Sequence, residues 1–366
     1  MSALLVPVVL SAVFLAAGPA AATATGGEEP YLALRTGLKC STCHVNRSGG
    51  GGRNDFGNAW AQTQLPARTA EVRSRALNDW VALGFDLRVF AATAVSETTP
   101  RSEVGIQEAQ IQLEAKLIRD ALSFYVDQTL GPGSATPREV FGLWHGLPLD
   151  TYVKAGKFML PYGWRLWDDN AYIRQETGFT YRTPEIGVEV GLEPGPMSVF
   201  VALSNGTTAS VENDSQKKLT TSAAYVHRQF RVGGSFAHNS DATTRTNTTG
   251  AFGGFNIGPL AVLGEVDYIF NELRDTTSGS TEPPNQFVGY VEGNLLATRG
   301  LNAKVTYGYH DPDRSVSENQ RIRMRFGLEW FPISFVQLAA FYTMLEDVPE
   351  VETDIDVVSL ELHLHF

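Results

Sequence analysis

The stretch GIQEAQIQLEAKL at 105–117 sets Ile106, Ala109, Ile111, Leu113, Ala115 and Leu117 on one face and Glu108, Gln110, Gln112, Glu114 and Lys116 on the other. Alternation of period two belongs to a strand with one apolar and one polar side. A soluble sandwich also alternates, but repeated segments with so charged a second face fit the inner wall of a water-filled barrel better. RIRMRFGLEWF at 321–331 carries the same pattern, with Ile322, Met324, Phe326, Leu328 and Trp330 opposed to Arg321, Arg323, Arg325 and Glu329. Three neighbouring arginines do not belong in a dry core, where an unpaired charge is strongly destabilising; a lumen takes them.

Working outward from these two stretches, about sixteen segments of this kind follow Trp80. They lie near 80–95, 104–118, 121–130, 138–146, 150–158, 185–193, 196–204, 218–228, 230–239, 248–257, 260–270, 286–298, 301–309, 319–331, 334–346 and 354–366. Tight turns at 119–120, 229, 258–259, 299–300 and 332–333 trade places with long polar loops at 205–217, 271–285 and 310–318. An even strand count with short turns at one end and long loops at the other is the pattern of a bacterial outer-membrane barrel, the short turns lying in the periplasm. The sequence therefore predicts an all-β chain, a transmembrane antiparallel β-barrel over 80–366.

Composition agrees. The chain is 43% hydrophobic and 19% charged, with 35 glycines, which is neither a disordered nor a coiled-coil composition. A net charge of −11 argues against a nucleic-acid partner, which needs a basic surface to meet phosphate. The opening MSALLVPVVLSAVFLAAGPAAATATGGEEP has the apolar run and the small-residue cleavage site, at Ala22-Thr23-Ala24, of a secretory signal peptide over 1–24, although its start holds no Lys or Arg. Gly18 and Pro19 cut the run short of a membrane-spanning helix.

Between leader and barrel, residues 25–79 hold the only two cysteines, in CSTCH at 40–44. Two thiols three apart and an imidazole next to the second are what a c-type haem needs: thioether anchors at Cys40 and Cys43 and a proximal iron ligand at His44. A small disulfide, a thioredoxin-like pair and half of a zinc site are the alternatives; the second lacks a βαβ context and the third lacks two ligands close by. Gly49 to Gly52 let the backbone turn sharply or approach a flat ligand. The segment is too short to enclose a haem alone, so it is expected to plug the lumen and borrow its walls.

Three resemblances follow from these residues. DVVSLELHLHF at 356–366 resembles the C-terminal strand signature of outer-membrane proteins, whose last Phe, here Phe366, helps the assembly machinery recognise the chain. VKAGKFMLPYGWRLWDDN at 153–170 resembles a strand-and-loop stretch of sixteen-stranded porins related to the phosphate-selective group; the loop from Met159 to Pro184 would then fold inward and line the pore with Arg165, Asp168, Asp169, Arg174, Glu176 and Arg182, the alternative being ordinary solvated charges. Together with CSTCH, the layout resembles the fused outer-membrane monohaem cytochrome–porins of iron-oxidising bacteria. That resemblance implies one covalent haem c held in the barrel, an electron carrier rather than a classical enzyme, an extracellular donor or acceptor such as Fe(II), and a periplasmic c-type cytochrome as partner. No dedicated iron-binding motif is present.

Candidates for a distal haem ligand come from strand parity. His363 and His365 lie on the face opposite Phe366, so both should point into the lumen at its periplasmic mouth, and His145 sits at the same level; a solvated lumenal histidine is the competing reading for each. Met159 and Met197 are weaker candidates, and His227, His238 and His310 read as structural or exposed. The acidic run EDVPEVETDID at 346–356 would focus cations at the outer mouth or only keep a loop soluble. Three functions compete: a single-haem conduit across the outer membrane; a porin whose haem-bearing or disulfide-closed segment is a structural plug; and a sheath for a separate multihaem cytochrome, for which a haem on the same chain is superfluous.

Overall fold

The computed structural model of the chain describes residues 29–95, 100–131, 133–207, 215–241, 243–274, 283–347 and 355–366. The leader at 1–24 and the middle of the acidic run at 346–356 lie outside the described residues.

Sixteen strands follow one another: β1 (Val81–Val95), β2 (Arg101–Ile118), β3 (Leu122–Gly131), β4 (Thr136–Leu147), β5 (Thr151–Phe158), β6 (Glu185–Leu192), β7 (Met197–Ser204), β8 (Lys218–Val226), β9 (Phe230–Ser240), β10 (Thr244–Ile257), β11 (Leu260–Leu273), β12 (Gln286–Thr298), β13 (Leu301–Asp311), β14 (Arg321–Ile333), β15 (Val336–Asp347) and β16 (Ile355–His365). Each pairs antiparallel with the next, and β1 pairs with β16, which closes the barrel. Closure leaves no strand edge with unpaired backbone groups, the condition for a sheet to stand in hydrocarbon. Strand boundaries lie within a few residues of those read from the alternation.

The quoted stretch explains its own phase break. Glu108 opposes Arg88 and Ile106 opposes Val89, so Gln107 is an extra residue in a β-bulge, and Ile106 and Ala109 reach the same face despite their odd spacing. Outside, Ile111 and Leu117 are exposed toward lipid; inside, Glu108, Gln110, Gln112 and Glu114 are buried. The last strand repeats this inversion with Val358, Leu360 and Leu362 outward and Ser359, Glu361, His363 and His365 inward. Phe366 joins Phe85 and Phe335 in an outward cluster, with ring centroids 5.5 and 5.7 Å from it.

The inner wall faces protein where a water-filled lumen was expected. Two insertions fill it. The first is the N-terminal plug, made of helix α1 (Pro30–Thr36), a 3₁₀ turn at Cys40–Thr42, and helix α2 (Asp55–Thr63). Pro30 starts α1 with a preset φ, and Gly37, at φ 64°, ends it with its N–H on the Ala33 carbonyl. Helices this short do not stand alone, and α1 buries Tyr31 and Leu34 against Phe252, Leu263, Val288 and Tyr290 of the wall.

The second insertion is the loop 159–184, which turns inward with helix α3 (Tyr172–Gln175) at its tip. It packs against β11, β12 and β13. The reading of its charges as solvated is corrected for most of them: Asp168 and Arg174 are buried and Asp169 and Glu176 partly so, while Arg182 alone stays exposed. Arg165 runs to the plug. The buried arginine row of β14 finds its counterion here, in Asp168, at 2.7 Å from Arg323 and 2.8 Å from Arg325.

Candidate functional site

Cys40, Cys43 and His44 come to one place because the backbone coils there. Cys43 and His44 both donate their N–H to the Cys40 carbonyl, at 3.1 and 3.0 Å, so the pentad forms a single turn. A hairpin follows, with His44 bridged to Arg53 and the Val45 N–H on the Gly52 carbonyl at 3.0 Å. Gly49 sits at its bend at φ 101°, and a side chain there would press on the Cys40 thiol at 3.2 Å.

Asn54 holds pentad and helix together. Its Oδ1 accepts the Gly57 N–H at 2.9 Å and so caps α2, while its Nδ2 donates to the Ser41 and Thr42 carbonyls at 3.2 and 3.1 Å. Gly57 lies so close to the Cys43 carbonyl that no Cβ fits between them.

The turn is then pinned to the wall. Lys39 Nζ donates to the Glu193 carbonyl at 2.5 Å and Ser41 Oγ to the Glu193 carboxylate at 3.0 Å. Arg47 pairs with Asp150 at 2.8 Å and Glu193 at 3.0 Å. Asn46 Nδ2 donates to Glu139 at 2.7 Å while Lys154 Nζ donates to Asn46 Oδ1 at 2.7 Å. At the start of the plug Lys304 reaches Glu29 at 2.6 Å and the Tyr31 hydroxyl donates to Glu329 at 3.0 Å.

Both cysteines and His44 line one cavity of about 1250 Å³, part of it open to solvent. The plug supplies Leu32, Leu38, Trp60 and Leu65, the inward loop Tyr162 and Trp164, and the wall Phe200, Val226 and Phe252. Lys39, Arg165 and Arg231 also line it.

Their charges are not neutralised by ion pairs. Arg231 donates to the Leu38 carbonyl at 2.8 Å and approaches the Cys40 Sγ at 3.7 Å; Arg165 donates to the Leu160 carbonyl at 2.7 Å and also to that of Gly49. Lys39, as above, serves a carbonyl too. Among the described residues none of the three has a carboxylate within ion-pair distance.

Cys40 and Cys43 form no disulfide with each other. Burial pushes the Cys43 thiol up to about 11, its neighbour Cys40 adding to the effect, so at neutral pH it stays protonated. Among the described residues no group of three or more His, Cys, Asp or Glu gathers as a metal site.

The fit to haem c rests on four features: two thiols and an imidazole on one wall, a glycine bend that keeps space beside Cys40, aromatic walls for a flat macrocycle, and unpaired cations for its two carboxylates. These residues fit the group. The three distal candidates lie apart from the cavity. His363 is inward and held by Asp86, by Arg88 at 3.1 Å and by Gln337 at 2.9 Å. His365 is inward too, its ring 4.8 Å from that of His363. His145 is half-buried on β4, its backbone N–H on the Ala121 carbonyl at 2.8 Å. Of the cavity cations, sequence reading named Arg165 on the inward loop but missed Lys39 and Arg231: parity alone places Arg231 inward on β9, but nothing in the alternation says which sector of the wall meets the plug.

No family model matches the chain, and no curated protein matches it. Solved structures do. The chain is similar to OmpT, an outer-membrane protein of Vibrio cholerae, at a TM-score of 0.62 and 10% identity, over 79% of this chain and 100% of that one. It is similar to an anion-selective porin from Comamonas acidovorans at 0.62 and 9%, over 78% and 99%. It is similar to the outer-membrane channel DcaP of Acinetobacter baumannii at 0.61 and 14%, over 78% and 97%. At such identities the likeness is one of fold. The fold is a closed sixteen-stranded β-barrel of the porin type, with an N-terminal plug in its lumen.

Proposed function

We propose that this protein is a plugged outer-membrane barrel that carries one covalent haem c and passes electrons between an extracellular donor or acceptor, such as Fe(II), and a periplasmic c-type cytochrome. The observation that supports this is the cavity at the pentad: thiols, imidazole, aromatic walls and uncompensated cations converge on one space. Haem c bound there supplies a one-electron Fe(III)/Fe(II) couple inside the membrane protein.

The residues divide the work. Cys40 and Cys43 fix the macrocycle covalently, and His44 ligates the iron from the turn that Asn54 holds. Lys39, Arg165 and Arg231 meet the carboxylates. Trp60, Trp164 and Phe252 would supply apolar cover for the macrocycle, and the charge-lined wall would tune its potential. A hydrocarbon layer about 30 Å thick separates the two redox partners, and a centre inside the barrel shortens that gap.

A second reading has its own support. The likeness to porins speaks directly for a channel, with the N-terminal segment a structural plug, and the many bonds from plug to wall suit that role. A pyridine haemochrome spectrum of the purified protein, followed by rapid mixing with Fe(II), separates the two. A c-type spectrum whose α-band appears within milliseconds to seconds supports the electron-transfer reading. A colourless protein that conducts ions in planar bilayers supports the plugged porin.

A further inference from the structure

We propose that the short-turn end of the barrel, the periplasmic end in outer-membrane barrels, carries a docking surface for an acidic periplasmic protein, formed by the outward face of α2 together with Arg68, Arg228 and Arg299. This rests on the electron-transfer reading for the identity of the partner, but binding at this surface does not need the haem.

α2 lies across the mouth. Asp55 at its start pairs with Lys116 of β2 at 3.0 Å, and the Thr63 carbonyl at its end accepts from Arg299, in the turn between β12 and β13, at 2.7 Å. Gly57, Asn58, Ala61 and Gln62 are buried. The other face holds Phe56, 49% exposed, with Ala59 exposed and Trp60 half-buried, at the spacing of three and four that makes one stripe. α2 stands inside the ring of strands, so lipid does not cover this stripe. An exposed apolar face of this kind marks a contact surface. Trp60 also lines the cavity of Cys40, Cys43 and His44, so a protein seated on α2 stands one side chain away from that space.

Charge says what covers the stripe. Arg68, Arg228 and Arg299 are exposed, and among the described residues none of them forms an ion pair. Each is fixed beside the plug: Arg299 donates to the Pro66 carbonyl at 3.0 Å, Arg68 follows Ala67, whose N–H lies on the Phe331 carbonyl at 2.8 Å, and the Arg228 backbone packs against Gly37 at the end of α1. The turns 227–229, 258–259, 299–300 and 334–335 hold no Asp or Glu. Exposed acidic side chains at this end are matched by other cations: Asp55 by Lys116, Glu71 by Arg73 at 2.7 Å, Asp79 by Arg119 at 3.1 Å and Asp150 by Arg47 at 2.8 Å, while Asp120 lies in the turn between β2 and β3, next to Arg119. Glu29, Glu292 and Glu329 are taken up inside by Lys304. In a chain of net charge −11 this half of the rim is therefore positive, and an aromatic stripe flanked by arginines has the composition of an interface centre. The fitting partner presents an apolar patch ringed by carboxylates, whose opposite potential steers its approach.

The test uses the full-length protein in detergent, with biolayer interferometry as the readout. The probe is a soluble c-type cytochrome in two forms, the native basic protein and its succinylated form, in which lysine ammonium groups have become carboxylates. The succinylated form is expected to bind and the native form to bind more weakly. In the double variant Arg68→Glu, Arg228→Glu, and separately in Phe56→Ser, binding should weaken by about tenfold or more, and the loss in the double variant should shrink as salt rises from about 0.02 to about 0.2 M. Arg314→Glu, in a loop at the opposite end, should change nothing; each variant is first shown to migrate as a folded barrel. A succinylated form that fails to bind, or that binds the double variant as well as the wild type, overturns the proposal. So does a double variant that loses only its retention on phosphatidylglycerol vesicles, since the arginines would then meet lipid. A pyridine haemochrome spectrum of the same preparation tests the haem reading separately: a colourless protein that still binds the succinylated probe ends that reading and leaves the docking surface standing.

Discussion

Asp168, on the inward loop, holds its Oδ2 2.7 Å from Nη1 of Arg323, a residue 155 positions later on β14. Arg325 joins the same oxygen at 2.8 Å and continues to Glu361 at 3.3 Å. Burial alone would raise the Asp168 carboxyl, but Arg323 and Arg325 outweigh it and hold it at about 2. Replacing Asp168 by Asn leaves two guanidinium groups buried without their shared partner, a cost of about 3–5 kcal/mol. The melting temperature of the detergent-solubilised barrel should drop accordingly.

The same contact predicts a pH dependence. An aspartate held below its usual value binds a proton more readily in the unfolded chain, so its stabilisation is complete above the unfolded value near 4 and is lost as pH falls through about 2. Melting curves of the wild type and of Asp168→Asn should converge across that window. Curves that stay parallel would rule out the ion pair as the cause.

Lys304 gathers Glu29 of the plug at 2.6 Å with Glu292 and Glu329 of the wall at 3.6 Å each. Lys304→Met strands these carboxylates and weakens the seat of α1 by roughly 3 kcal/mol. Faster tryptic cleavage at Arg35 and Lys39, together with a rise in planar-bilayer conductance, is the expected result. An uncut plug in a barrel that conducts no better would mean that Lys304 does not hold it.

Cys43→Ala should abolish the covalent haem and leave heat-modifiable migration of the barrel on gels intact. The sixteen strands satisfy their own backbone hydrogen bonds, and the N-terminal segment joins them mainly through side chains, with a few backbone bonds such as the Ala67 N–H on the Phe331 carbonyl at 2.8 Å. Loss of the folded band together with the colour would show that the plug is needed for barrel assembly.

Asn54 serves the helix and the pentad with different atoms. Asn54→Asp retains an oxygen for the Gly57 N–H but sets a carboxylate against the Ser41 and Thr42 carbonyls; Asn54→Ala loses both roles, at about 1–2 kcal/mol for the cap alone. Haem content per barrel, read from the haemochrome, should fall in both variants. Full haem loading in the aspartate variant would limit Asn54 to capping α2.

The sequence alone determined the barrel. Alternation such as that of 105–117 is a local property of the strand, because period two and the difference between lipid and lumen fix which way each side chain points. It placed His363 and His365 inward, Phe366 outward, and the pentad ahead of the first strand. Tertiary structure decided what the inward residues meet. That depends on which sector of a closed cylinder stands opposite the plug and the loop 159–184, a relation between residues far apart in the chain with no period to reveal it. So Arg323 and Arg325 turned out to answer Asp168 rather than water, Arg231 came to stand 3.7 Å from the Cys40 thiol, and the lumenal histidines fell outside the cavity that holds His44.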